Sequence, residues 1–157
     1  AALLDGGERL VVDLGCGPGR FTAGLAELTG AEVVGFDVVD ALLALAPTTP
    51  RVSYRRMRPG AVPLAAGAAD LVWVCLVLGG IDGRPLRRTA AEIGRILRPG
   101  GLLFLVENTT PGAGSARWRF RGVADYQRLF PRFALAHLGD YDDLGERISI
   151  QAGRQTR

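Results

Sequence analysis

The sequence predicts an α/β domain: a doubly wound, mostly parallel sheet of about seven strands with helices on both faces and a C-terminal antiparallel hairpin. Three observations carry that reading. Short apolar runs recur along the chain with helical stretches between them, as strands buried on both faces require. The first run, LVVDL, ends in glycine-rich sequence that opens a helix. The last third changes character, with two strand-like runs joined by an acidic stretch.

The elements follow in order. Leu10 to Leu14 is a β-branched run and reads as the first strand. Residues 20–28 carry Phe21, Leu25 and Leu28 at helical spacing, with Gly30 as the stop, and residues 32–36 form a second strand that ends at Asp37. A short helix over 41–46 is closed by Pro47, and 52–55 is a third strand before the Pro/Gly-rich stretch 58–67. Residues 70–76 form a fourth strand. An amphipathic helix over 85–97 leads through Arg98-Pro99-Gly100-Gly101, read as a turn, into a strand over 102–107. A loop over 108–115, a helix over 123–130, and strands over 133–138 and 147–152 complete the chain.

The 157 residues are enough for one core, because a domain of this size buries roughly two thirds of its unfolded surface around a single interior. Charged residues at 22% and apolar residues at 48% exclude a disordered chain. No apolar run approaches the about 20 residues of a membrane helix, and no signal peptide is visible, so the reading is a soluble, cytoplasmic domain with no membrane partner. All 19 cations are arginine, which is a bias of composition, and the net charge is only +3. Cys16, Cys75 and the single His137 have no metal-ligand spacing, so no metal is expected.

The strongest local signal is Asp13-Leu14-Gly15-Cys16-Gly17-Pro18-Gly19, where the first strand meets a helix. Glycine there permits a backbone barred to side chains and lets a ligand approach the main chain, while Pro18 suits a first helical turn. Asp37, at the end of the next strand, can accept hydrogen bonds from the vicinal hydroxyls of a ribose. The alternative is a tight structural turn with both acids capping helices. A dinucleotide fingerprint is not completed: counting from Gly15 puts Arg20 at the third glycine position, and counting from Gly17 puts Thr22 there.

The motif resembles instead the first motif of class I S-adenosylmethionine-dependent methyltransferases. Val62-Pro63-Leu64 with Ala69-Asp70-Leu71-Val72, then Ile96-Leu97-Arg98-Pro99-Gly100-Gly101, are similar to that family's patterns around strands four and five, and the terminal hairpin matches its reversed last strand. The resemblance covers most of the chain and implies a single methyltransferase-like domain over 1–157, lacking the N-terminal helices that close over the site in relatives, with S-adenosylmethionine as cofactor. It implies Gly15, Cys16 and Gly17 as the bed of the cofactor, Asp37 on the ribose, Val38 beside the adenine, Asp13 toward the donor's ammonium, and Val74 and Cys75 at the methionine end.

Arg58 stands where many relatives place an acid for the adenine amino group, and it cannot accept. Either a main-chain carbonyl or a residue shifted by the Pro59-Gly60 turn meets the adenine, or the site binds the cofactor weakly or not at all. Gly79 and Gly80 stand where small-molecule methyltransferases often carry His, so no catalytic residue is assigned. Glu107 with Asn108, and Asp82, are candidates that read better as loop or capping residues; His137 reads as a packed or edge residue.

The segment Ala116-Arg117-Trp118-Arg119-Phe120-Arg121 interleaves aromatics and cations and, with Tyr126, is placed over an acceptor pocket or in helix-entry packing. Asp140, Asp142, Asp143 and Glu146 read as a solvated acidic tip. Cys75-Leu76-Val77-Leu78 lacks the signature of enzymes that methylate amino groups of nucleic acids, so nucleic acid is disfavoured. The expected activity is methyl transfer to nitrogen or oxygen of a small molecule, with a homo-oligomer or a larger parent chain as the possible assemblies. The competing reading is a non-catalytic scaffold or interaction domain.

Overall fold

The computed structural model describes residues 3–112, 114–115 and 118–156. Its seven strands are β1 Leu10–Leu14, β2 Glu32–Asp37, β3 Val52–Arg56, β4 Ala69–Cys75, β5 Leu97–Asn108, β6 Ala136–Asp143 and β7 Glu146–Arg154. The helices are α1 Thr22–Thr29, α2 Asp40–Leu43, α3 Gly83–Ile96 and α4 Val123–Leu129, with a 3-10 turn at Leu78–Gly80. The sheet order is β3-β2-β1-β4-β5-β7-β6. All pairings are parallel except β5 with β7 and β6 with β7. The chain winds outward from β1 to β3, returns to β4 on the other side of β1, and winds outward again. The reversal lies between β1 and β4, and the crevice beyond their carboxyl ends is where such sheets bind ligands.

The apolar runs are strands because the sheet is covered on both faces. Val12, Leu14, Val72, Val74, Leu103 and Leu105 face α3 and α4 through Ile93, Ile96, Tyr126 and Phe130. Val11, Val33, Leu71 and Leu102 face α1 through Leu25 and Ala26. Gly30, in a left-handed conformation, ends α1, and its N–H donates to Ala26 O. Among the described residues no helix is long and apolar enough to cross a membrane.

Three boundaries differ from the sequence reading. The expected turn at residues 98–101 lies inside β5 as an irregularity, with Ala69 opposite Leu97 and Leu71 opposite Leu102. The helix expected over 41–46 is a single turn, Asp40–Leu43, with no buried residue to extend it. The first hairpin strand is β6, displaced toward the C-terminus, so Asp140, Asp142 and Asp143 lie within the strand. The turn itself is Leu144-Gly145, both at positive φ of 54° and 84°, as a two-residue hairpin connection requires.

Candidate active site

β1 ends at Leu14 in the middle of the sheet, and the glycine loop turns the chain into α1. Gly15 N and Cys16 N both donate to Phe36 O, at 2.7 and 3.1 Å, and Gly19 N donates to Cys16 O at 2.9 Å. The loop is thereby tied to the end of β2. Gly15 and Gly17 have φ of 75° and 52°, but they face different surroundings. A β-carbon on Gly15 would collide with Val77 Cγ2, whereas one on Gly17 would meet nothing within 4 Å. Packing against the β4 loop demands glycine at 15; at 17 the bare main chain borders open space.

Asp37 joins this main chain to β2. Its Oδ2 accepts from Gly17 N at 2.8 Å and its Oδ1 from Val39 N at 2.9 Å. Each carboxylate oxygen can accept twice, so each keeps one position for a further donor. Asp13 is buried at 3% exposure and accepts from Thr22 Oγ1 at 2.7 Å. Burial pushes its carboxyl up to about 6; the charge of Asp37 adds to this and the Thr22 bond opposes it. Two interacting carboxylates favour a cation beside them. Cys16 is within reach of both charges: its thiol is raised to about 12 by burial and then by Asp13 and Asp37. It is a small apolar filler, with too little thiolate to react.

On the β3 side, Met57 N donates to Asp37 O at 2.9 Å, and next to it opens a cavity of about 650 Å³ lined by Arg56, Met57, Arg58, Ala61, Val62 and Pro63. Arg58 is exposed, and its carbonyl accepts from Ala61 N at 3.0 Å across the Pro59-Gly60 turn. The segment is anchored to α3: Val62 N donates to Glu92 Oε2 at 2.9 Å, and Arg95 donates to Val62 O and Leu64 O at 2.9 and 2.7 Å. Val38, at 38% exposure, lies on the neighbouring loop.

The β4 side differs in detail from the sequence reading. Val74 is wholly buried in the core, which leaves half-buried Cys75 as the strand's residue at the crevice. Burial and then the charges of Glu107 and Asp13 raise that thiol to about 11.

The loop that follows is held from beneath by Glu107, fully buried, which accepts from Val77 N, Leu78 N and Gly79 N at 2.9, 2.7 and 3.3 Å and from Tyr126 Oη at 3.4 Å. Burial raises its carboxyl to about 7 against the pull of those donors. Glu107 is therefore a positioning residue under the loop and does not face the crevice. Asp82 caps α3 by accepting from Gly83 N at 2.8 Å.

Gly79 and Gly80 are accounted for by Trp118. The indole lies on them so closely that a β-carbon on Gly79 would collide with Cε2 and Nε1, and one on Gly80 would stand 3.2 Å from Cζ3. Arg119 N donates to Gly79 O at 2.8 Å, Arg121 donates to Leu78 O and Ile81 O at 2.9 and 2.8 Å, and both arginines pair with Asp82 at 3.1 and 3.2 Å. The aromatic and cationic segment is thus a strap over the β4 loop; Ala116 and Arg117 lie outside the described residues. His137 is elsewhere, on the edge strand β6, 2.7 Å from Asp140 Oδ1. The sequence singles out Trp118 and Glu107 but not the loop they act on, which lies about thirty to forty positions away in the chain.

Residues 11–101 match the model of a methyltransferase domain. The chain is 37% identical over 131 residues to trans-aconitate 2-methyltransferase of Deinococcus radiodurans, covering 81% of the chain and 50% of that protein. It is 32% identical over 111 residues to an uncharacterised methyltransferase of Synechocystis, covering 70% of the chain and 50% of that protein. It spans about half the length of these curated relatives. A solved S-adenosylmethionine-dependent methyltransferase of Methanosarcina mazei shares the fold, with a TM-score of 0.82 at 15% identity over 98% of the chain and 95% of that structure.

Proposed function

The chain belongs to the class I S-adenosylmethionine-dependent methyltransferases, and from that membership we propose that its central crevice takes S-adenosylmethionine and directs methyl transfer to a nitrogen or oxygen of a small molecule. The observation that carries this reading is Asp37, whose two oxygens each keep an acceptor position beside the open main chain of Gly17. That pair suits the vicinal hydroxyls of a ribose.

Gly15, Cys16 and Gly17 form the bed, Asp13 faces the donor's ammonium, and Cys75 borders the methionine end. The cavity next to Met57 and Arg58 takes the adenine, with a main-chain group rather than the Arg58 guanidinium meeting the amino hydrogens. The bound cofactor supplies a methyl already activated by a sulfonium charge. The protein's part is orientation: holding two reactants in a near-attack pose is worth about 7–11 kcal/mol in favourable cases, so a dedicated base is not required for an amine.

Titration with S-adenosylhomocysteine by calorimetry tests the reading. Saturable binding is expected, with at least tenfold loss in Asp37→Asn. No binding at millimolar ligand overturns it and leaves the non-catalytic scaffold.

A further inference from the structure

We propose that the cavity between the Trp118 strap and the β6–β7 hairpin is the acceptor pocket and that it selects an organic cation, an amine protonated in solution. This rests on the methyl-transfer reading of the neighbouring crevice.

The cavity measures about 430 Å³, and its walls include Leu76, Asn108, Trp118, Phe120, Asp143 and Glu146. Small-molecule sites commonly occupy about 300–1,000 Å³. Its position suits an acceptor. Leu76 follows Cys75 at the carboxyl end of β4, Asn108 ends β5, and Val77, one residue on from Leu76, rests on Gly15 of the glycine loop. The cavity and the candidate cofactor bed are thus separated by a single turn of chain.

Its chemistry is unlike that of two cavities rich in arginine, and its walls, unlike those of the largely apolar cavity between Leu3, Leu28 and Phe104, carry carboxylates. The one beside α3 and α4 is lined by Arg87, Arg95, Arg128 and Arg132, and the one at the end of β3 by Arg56 and Arg58. Among the described residues this third cavity has no arginine in its lining, in a chain with 19. It has two aromatic side chains and two carboxylates instead. Glu146 Oε2 accepts from Asn108 Nδ2 at 2.6 Å, which fixes the side chain and leaves Oε1 available. Asp143 makes no ion pair or hydrogen bond through its side chain among the described residues.

Aromatic faces attract a cation and carboxylates hold its N–H groups. An anionic acceptor would be repelled, and a neutral one would gain nothing from the charge of either carboxylate. For the reaction itself the ammonium loses a proton to solvent at the exposed mouth. The nitrogen lone pair then forms the N–C bond as the S–C bond breaks, and the breaking pair remains on sulfur. One proton is released for each methyl moved.

Three probes of similar size and different charge test this: phenethylamine, 3-phenylpropanoate and 2-phenylethanol, each titrated by calorimetry with and without S-adenosylhomocysteine. The amine is expected to bind about fivefold tighter than either of the others, the factor that one cation–aromatic contact or one exposed ion pair supplies. It should also shift the Trp118 indole N–H resonance, assigned with Trp118→Phe. Asp143→Asn and Glu146→Gln should each weaken the amine severalfold, with thermal melts of both variants reporting the fold.

The inference is overturned if the acid or the alcohol binds as well as the amine, if none of the three binds, or if both variants keep the wild-type amine affinity. A protein that binds S-adenosylhomocysteine but not the amine rejects this inference alone; one that binds the amine but not S-adenosylhomocysteine rejects the donor reading instead.

Discussion

The side chain of Val77, in the loop after β4, rests on the α-carbon of Gly15, in the loop after β1, so that a β-carbon at 15 has no space. The two loops flanking the topological reversal are thereby locked together, and glycine at 15 serves packing while glycine at 17 leaves its main chain beside open space. Gly15→Ala combines a collision with a φ of 75° and should lower stability by about 1–3 kcal/mol or more; Val77→Ala should recover part of that loss but not the backbone strain. Gly17→Ala meets no collision and should lose only the ~1–2 kcal/mol that a left-handed φ of 52° costs a side chain, yet lose at least tenfold in S-adenosylhomocysteine affinity, because its methyl projects into open space. Thermal denaturation and calorimetry on the two variants separate these outcomes. A G17A protein that binds normally would remove the main chain at 17 from the site.

Trp118 fills the volume that side chains at 79 and 80 would occupy. Gly79→Ala should therefore displace the indole and cost about 1–3 kcal/mol through overpacking. In a Trp118→Ala background the same substitution should cost far less, giving a coupling energy above about 0.5 kcal/mol in a urea-denaturation double-mutant cycle. Additive losses would show that the strap does not sit on the loop in solution.

How much of this was legible in the sequence depends on how local each signal is. β1 and the Gly15–Gly17 and Asp37 pair were readable because strand, glycine loop and acid lie within 28 residues and each has its own pattern. β6 was misplaced because it is exposed along nearly its whole length; an edge strand of polar residues has no apolar alternation, and only its pairing with β7 keeps it extended. The Arg98-Pro99-Gly100-Gly101 stretch reads as a turn locally, yet β4 draws it into β5 as an irregularity. Glu107 reads better as a loop or capping residue than as a base at the crevice, and it does hold a loop; which loop is what the sequence leaves open. Its inward role arises from three N–H groups of a loop about thirty residues earlier in the chain, which no spacing rule reveals.

Both oxygens of Glu107 accept from surrounding donors, and the hydroxyl oxygen of its protonated form still can, whereas the amide nitrogen of glutamine cannot. Glu107→Gln should cost about 1–3 kcal/mol at pH 5, the penalty of leaving a buried donor unpaired. Burial raises the carboxyl from 4.5 to about 7, so between those values the folded protein keeps a proton that the unfolded chain has lost. Wild-type stability relative to the Gln variant should then fall as pH rises through that window, by about 3 kcal/mol. Denaturant melts of both proteins at pH 5 and pH 8 measure it, and a constant difference would show that Glu107 is ionised throughout.

Asp13 gives the corresponding test for ligand binding. Its carboxyl is raised from 3.8 to about 6 by burial and by the neighbouring charge of Asp37, so below pH 6 the free protein is largely protonated there. A ligand that places an ammonium near this carboxyl favours the ionised form and must displace the proton. S-adenosylhomocysteine should therefore bind about tenfold more weakly at pH 5, where roughly one Asp13 in ten is ionised, than at pH 7. The dependence should level off above about pH 6 to 7, and Asp13→Asn should abolish it while weakening binding at neutral pH. Calorimetry of wild type and variant at both pH values decides the matter: a wild-type affinity unchanged from pH 5 to pH 7 would mean that the ammonium lies elsewhere.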